Sequence, residues 1–197
     1  MPALKPSLPA LCAGLILLLA WRPAAAAEQA LVLDAETTTI SIRLKATLHT
    51  VEGSFRLLDG EVVFDEKSGA ASGWIRVDSG SGVTGSGGRD RKMHEQVLES
   101  GRYPQIVFTP TRLELGAEVA DGRELDLVGN MSIHGSEYPL TIPARVRQGP
   151  GGGVTIHSRF PVPYVRWGMR DVSNFFTRVA PEVEVIIEGR GVLEERR

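Results

Sequence analysis

The sequence predicts an all-β, antiparallel fold, and three observations carry that expectation. Apolar and polar residues alternate with a period of two in several segments, as strands with one dry and one wet face require. Turn signals separate those segments: Asp59-Gly60, Lys67-Ser68-Gly69, Asp121-Gly122, His134-Gly135 and the run from Gly149 to Gly153. The best helical candidate is short, residues 89–99, where Met93, Val97 and Leu98 form a weak apolar stripe. Several long strands joined by meander-type turns favour a closed barrel or a sandwich. Closure also removes unpaired strand edges, which an exported protein has reason to avoid.

In chain order, residues 1–27 stand apart from this pattern. Lys5 gives a positive start, residues 8–20 (LPALCAGLILLLA) form an apolar stretch, and Ala25-Ala26-Ala27 fits a small-residue cleavage pattern. The apolar stretch is shorter than the ~20 residues of a spanning helix. A signal peptide cleaved after Ala27 is therefore expected, leaving one domain over residues 28–197. The first strand candidate is LVLDA. In TISIRLKATLH, Ile40, Ile42, Leu44, Ala46 and Leu48 alternate with polar residues. EVVFDE and GWIRVD follow. The stretch from Gly85 to Tyr103 interrupts the strands, and QIVFTPTRLEL resumes them. In RELDLVGNMSI, Leu125, Leu127, Met131 and Ile133 share a face, and in PLTIPARVR Leu140, Ile142, Ala144 and Val146 do. Pro143 inside that segment suggests an edge strand or a bulge. GVTIHSRF comes next. Residues 171–176 suit a second short turn, and PEVEVIIEG closes the series with Val183, Val185 and Ile187 on one face.

Charge and cysteine content narrow the function. The chain has 22 Lys+Arg and 24 Asp+Glu, a formal net charge of −2. Losing Lys5 and Arg22 with the leader lowers this to −4. Mild acidity argues against a nucleic-acid partner or an anionic membrane surface. The one cysteine, Cys12, lies in the leader after Leu11, so neither a lipidated N-terminus nor a disulfide is expected. The domain must hold together by its core alone, which its length permits.

Candidate chemistry concentrates in two segments. GVTGSGGRD has the glycines of a phosphate loop but no Gly-Lys-Ser/Thr. It suits an anion nest at Arg89 or, more simply, a flexible turn into a helix. HEQVL begins like a zinc motif, but its fifth position is Leu98, and the histidines at 49, 94, 134 and 157 share no ligand spacing. Asp90 between Arg89 and Arg91 suits a salt-bridged corner better than a general acid. No Gly-x-Ser-x-Gly elbow occurs. Neither catalysis, a metal nor a cofactor is expected. The second segment, YVRWGMRDVSNFF, gathers Tyr164, Trp167, Met169, Phe175 and Phe176. It suits a core corner or an apolar lip at a cavity mouth, where Met and aromatic side chains adapt to flexible ligands.

At these motifs the chain resembles the YceI-like family, bacterial exported polyisoprenoid-binding domains. The resemblance rests on VEGSF with GEVVFD (51–65), GGRDRKMHEQVLESGRYPQIVF (87–108), LVGNMSIHGSEYPLTIP (127–143), and WGMRD with VEVIIEG (167–189). The sequence departs from many members at Met93-His94 and in its EERR tail. The resemblance implies an extended, antiparallel, eight-stranded lipocalin-like β-barrel with one or two short helices. It also implies a periplasmic address, a long isoprenoid or similar lipid as partner, and often a homodimer.

The expected function is therefore a non-enzymatic container for an apolar amphiphile, such as a polyisoprenoid, an isoprenoid quinone or a fatty-acid-like lipid. Trp167, Met169, Phe175 and Phe176 are placed at its mouth. Arg89 and Asp90 are placed at a headgroup contact or a structural corner. The alternative is a periplasmic stress or envelope-interaction protein whose barrel is filled by its own side chains. Strands of ~10 residues tilted ~40° give an expected axis of roughly 25 Å.

Overall fold

Nine strands follow one another in the computed structural model: β1 (Glu28–Leu33), β2 (Thr39–Lys45), β3 (Thr50–Phe64), β4 (Ala71–Val83), β5 (Gln105–Val119), β6 (Gly122–Ile133), β7 (Ser136–Gln148), β8 (Gly153–Val162) and β9 (Val183–Arg196). Residues 28–174 and 177–196 are described. The expected leader, residues 1–27, and two of the expected mouth residues, Phe175 and Phe176, lie outside the described residues.

The nine strands make eight staves. β1 pairs antiparallel with residues 61–64 of β3 and with β9 on its other side. β2 does the same further along, against residues 50–55 of β3 and 184–188 of β9. β1 and β2 are thus two halves of one stave, interrupted at residues 34–38. Asp34 shapes the interruption by accepting hydrogen bonds from the Glu36 amide (2.9 Å) and the Thr37 hydroxyl (2.8 Å). From β3 the sheet runs in order through β4, β5, β6, β7, β8 and β9, every pair antiparallel, and returns to the shared stave. The result is a closed, up-and-down, eight-stranded barrel.

One end carries the tight connections of β3–β4, β5–β6 and β7–β8, together with the start of β1 and the end of β9. The other carries the longer β4–β5 and β8–β9 connections, and we call it the helix end. In the β4–β5 crossover, helix α1 (Gly87–Lys92) continues into a π-helical turn at Met93–Val97, closed by the Leu98 amide donating to the Met93 carbonyl at 2.8 Å. The expected helix thus starts two residues earlier and ends two residues sooner than its stripe suggested.

The interior follows the alternation. Met131, Ile133, Ile142 and Phe160 belong to one buried cluster, with Val183, Val185 and Ile187 packed against it. Four expectations need correction. Leu48 is 86% exposed, because β2 ends at Lys45 and the chain turns there. Pro143 marks neither an edge nor a bulge: β7 pairs with β6 in unbroken register. Its pairing with β8 begins only at Ala144, so the ladder stops where Pro143 supplies no N–H. The Ser158 hydroxyl donates instead to the Pro143 carbonyl at 2.6 Å. Residues 171–174 form no helical turn. Finally, β3 and β5 have 15 residues each, which at the same rise and tilt gives an axis of about 38 Å rather than 25 Å.

Candidate functional site

The barrel interior holds two apolar chambers. The first, about 600 Å³, lies at the helix end. The second, about 590 Å³, lies at the hairpin end. Each falls within the range of small-molecule sites, so the lumen is not filled by its own side chains. The linings have four residues in common: Ile40 on β2, Ile75 on β4, Ile142 on β7 and Ile187 on β9. These isoleucines form a waist at mid-height. On β6 the lining passes from Met131 in the first chamber to Leu127 in the second across Gly129. A side chain at Gly129 would strike the Thr109 carbonyl (2.3 Å) and the Phe108 ring (2.8 Å), so the glycine is what lets Phe108 lie across that level.

Strand alternation supplies most of the first chamber. Ile42, Leu44 and Ala46 of the second stave half line it, as do Val183 and Val185 of β9. The helical stripe Met93, Val97 and Leu98 faces it too, which gives the crossover its apolar role. Beside these stand two cations, Arg89 and Lys92, together with Thr84. Arg89 and Asp90 do not form a salt bridge with each other. Both hold Thr84 instead. The Arg89 Nε donates to Thr84 Oγ1 and its Nη2 to the Thr84 carbonyl, each at 2.7 Å. Asp90 Oδ1 accepts from the Thr84 amide at 2.9 Å and from the Thr84 hydroxyl. The helix N-cap is Ser86, whose side chain makes no capping bond. The corner is therefore structural in its bonding, while Arg89 also borders the chamber.

The β8–β9 connection closes the other side of this mouth. Met169, 3% exposed, lines the chamber, and Tyr164, Val172 and Val179 join it. Trp167 is not on the lining. It stacks flat on Tyr138 of β7, ring centroids 4.6 Å apart and 3° from parallel, and the Tyr138 hydroxyl donates to the Trp167 carbonyl. Its place follows from Pro143: residues 136–143 of β7 have no β8 partner, and Trp167 packs against that unpaired half. Burial, with the Asp171 carboxylate adding to it, pushes the Tyr164 phenol above its ordinary value, so it stays neutral.

The second chamber is walled mainly by strands, with Thr38 and Glu66 added from connections. Leu57, Leu113, Leu127, Ala144 and Val154 line it, and Glu66, Glu118, Arg123 and Gln148 lie at its hairpin end. Arg123 donates to Glu118, so this rim is largely self-neutralised, unlike the Arg89–Lys92 rim.

Histidines serve the scaffold. His94 bridges the Gly82 carbonyl (2.8 Å) and the Ser100 hydroxyl (3.0 Å), pinning the crossover to β4. His134 lies 3.1 Å from Glu99 and packs on Tyr103. Among the described residues no group of three His, Cys, Asp or Glu side chains is placed to hold a metal. Sequence reasoning missed Phe55, Val77, Ile106 and Lys92 on the first lining. Phe55 was hidden because β3 shifts register against β4 between Ser54 and Arg56 and again between Leu57 and Asp59. Lys92 had a readable signal: it lies three residues after Arg89, one helical turn, on the same side.

What this arrangement can do is hold a slender apolar molecule away from water, with any anionic end beside Arg89 and Lys92. The profile of the YceI-like domain matches residues 31–190. Protein YceI of Escherichia coli O157:H7 is 34% identical over 106 residues, 51% of this chain and 53% of that protein. Protein YceI of Salmonella newport (strain SL254) is 29% identical over 136 residues, 66% of this chain and 69% of that protein. The chain spans about half the length of the first curated relatives it matches. Among solved structures, Burkholderia cenocepacia BcnA has a TM-score of 0.65 at 21% identity, covering 80% of this chain and 98% of its own. A polyisoprenoid binding domain from Saccharophagus degradans implicated in plant cell wall breakdown has a TM-score of 0.64 at 15% identity, covering 83% of this chain and 98% of its own. These structural likenesses show the fold.

Proposed function

This chain belongs to the YceI-like domain family, and from that premise we propose that it is a non-enzymatic carrier that encloses one long apolar lipid. The observation that carries this reading is the unfilled lumen, two chambers of about 600 and 590 Å³ walled almost wholly by aliphatic and aromatic side chains. Each buried methylene contributes ~0.8 kcal/mol, so a long tail binds usefully without a specific headgroup. The Saccharophagus degradans relative's description as polyisoprenoid binding supports an isoprenoid tail for this chain as well. Arg89 and Lys92 favour a ligand whose polar end is anionic or rich in acceptors, placed at the helix end. Export to the periplasm after cleavage of residues 1–27, and a homodimer, belong to the same proposal. Intact-mass analysis and light scattering test those two points.

The test of the function is binding by delipidated, refolded protein. Nile red, which fluoresces in apolar surroundings, should enter the lumen and be displaced by the long isoprenoid alcohol solanesol. A folded protein that takes up neither compound contradicts the carrier reading and favours a barrel that acts only through its outer surface.

A further inference from the structure

The two chambers differ from a plain tube in one respect, the isoleucine waist, and its construction is specific. Ile40 and Ile187 are direct cross-strand partners on β2 and β9. Ile142 sits opposite Leu127, and Ile75 opposite Phe108, both partners buried. The waist side chains are β-branched and stiff at χ1. The first chamber is lined differently, with Met93 and Met169, which have three free torsions and a polarisable sulfur. The lumen therefore joins an adaptable chamber to a second one at a level ringed by stiff, strand-borne side chains.

Resting on the carrier reading, we infer that Ile40, Ile75, Ile142 and Ile187 act as a gate that selects ligands by length and cross-section. A linear chain long enough to pass the waist buries its far end in the second chamber and gains affinity from both. A short chain fills only the first chamber. A fused-ring apolar molecule is stopped at the waist, because four stiff side chains on β2, β4, β7 and β9 cannot all withdraw without disturbing the ladders that hold them. The second chamber, with its paired Arg123 and Glu118 at the rim, thus serves as the tail pocket, and the first as the head and entry pocket. The ligand class is a slender, unbranched or isoprenoid chain with length enough to reach both.

The gate is tested by comparing two isoprenoid alcohols, the short farnesol and the long solanesol, in the Nile red displacement assay. Wild-type protein should bind solanesol much more tightly than farnesol. In Ile142→Phe, a closed waist excludes the far end of the longer chain. Losing roughly three buried methylenes at about fourfold each weakens solanesol about sixtyfold, while farnesol changes by far less, so the affinity ratio collapses. Because a bulky variant can fail to fold, Ile142→Ala and Ile187→Ala serve as the opposite probe. A wider waist should speed solanesol association and leave farnesol association as it was. An unchanged ratio in folded Ile142→Phe, with unchanged kinetics in the alanine variants, overturns the gate while leaving the carrier intact. Wild-type protein that binds neither alcohol overturns both.

Discussion

The two chambers are nearly equal in volume and share an apolar lining, yet they are built by different means. The hairpin-end chamber is walled mainly by strands, and at its rim Arg123 pairs with Glu118. The helix-end chamber has strand walls but a mouth assembled from the α1 crossover and the β8–β9 connection, with two cations on it. The comparison teaches that in this barrel the alternating strands make the space, and the segments that break alternation shape its helix-end mouth.

The largest effects should come from filling one chamber at a time. Ala46 lines the helix-end chamber and Ala144 the hairpin-end chamber, so the same substitution reads them separately. Ala46→Phe should weaken both farnesol and solanesol by about tenfold or more, and Ala144→Phe should weaken solanesol alone. Both variants should melt close to the wild type, since each ring enters open space. If both merely melt early, by the ~1–3 kcal/mol of an overpacked core, the chambers are filled in solution and the comparison collapses. Displacement titrations and thermal melts on the same samples give the answer.

Next in size is the Thr84 hub. Asp90→Ala removes a carboxylate that receives the Thr84 amide and hydroxyl, and should cost about 1–3 kcal/mol, the scale of hydrogen bonds to a charged group. The loss should loosen the helix-end mouth, so farnesol dissociates faster. Stopped-flow release alongside urea unfolding checks this. An unchanged stability with abolished binding would make Asp90 a ligand contact instead of a brace.

The legibility of the sequence follows the same division. Ile40, Ile42, Leu44 and Ala46, and likewise Val183, Val185 and Ile187, face inward as their alternation predicts, because a period-two pattern in a closed barrel has one dry side. The apolar stripe of Met93, Val97 and Leu98 was also readable. The register shift between Pro110 and Arg112 was not. It moves the inward phase from Phe108 and Pro110 to Leu113, and only cross-strand pairing reveals it. Nor was the role of Trp167, whose site exists because Pro143 ends a ladder with a strand far away in sequence. The Arg89–Asp90 pair, expected to be salt-bridged, bonds Thr84 from both sides instead. Its true partner, Thr84, offers a hydroxyl and a free backbone amide that a charge count does not register.

Smaller effects test that last point at the mouth. Tyr138→Phe keeps the stack on Trp167 but removes its hydrogen bond to the Trp167 carbonyl, and should lower stability by about 1 kcal/mol. Binding of solanesol should hardly change if Trp167 is a plug and not a ligand contact. Leu48→Ser, at a fully wet turn, should stay within about 0.5 kcal/mol of the wild type, and a larger loss would mean that this turn is covered in an assembly.

The central claim is that the lumen is one container spanning both chambers. Native mass spectrometry of the protein purified from its own cell envelope tests it most directly. The account predicts a folded protein carrying a mass increment of a single long-chain lipid, released on activation and absent from Ile142→Phe prepared in the same way. A folded wild-type protein of bare mass, which stays bare after incubation with solanesol, would contradict it.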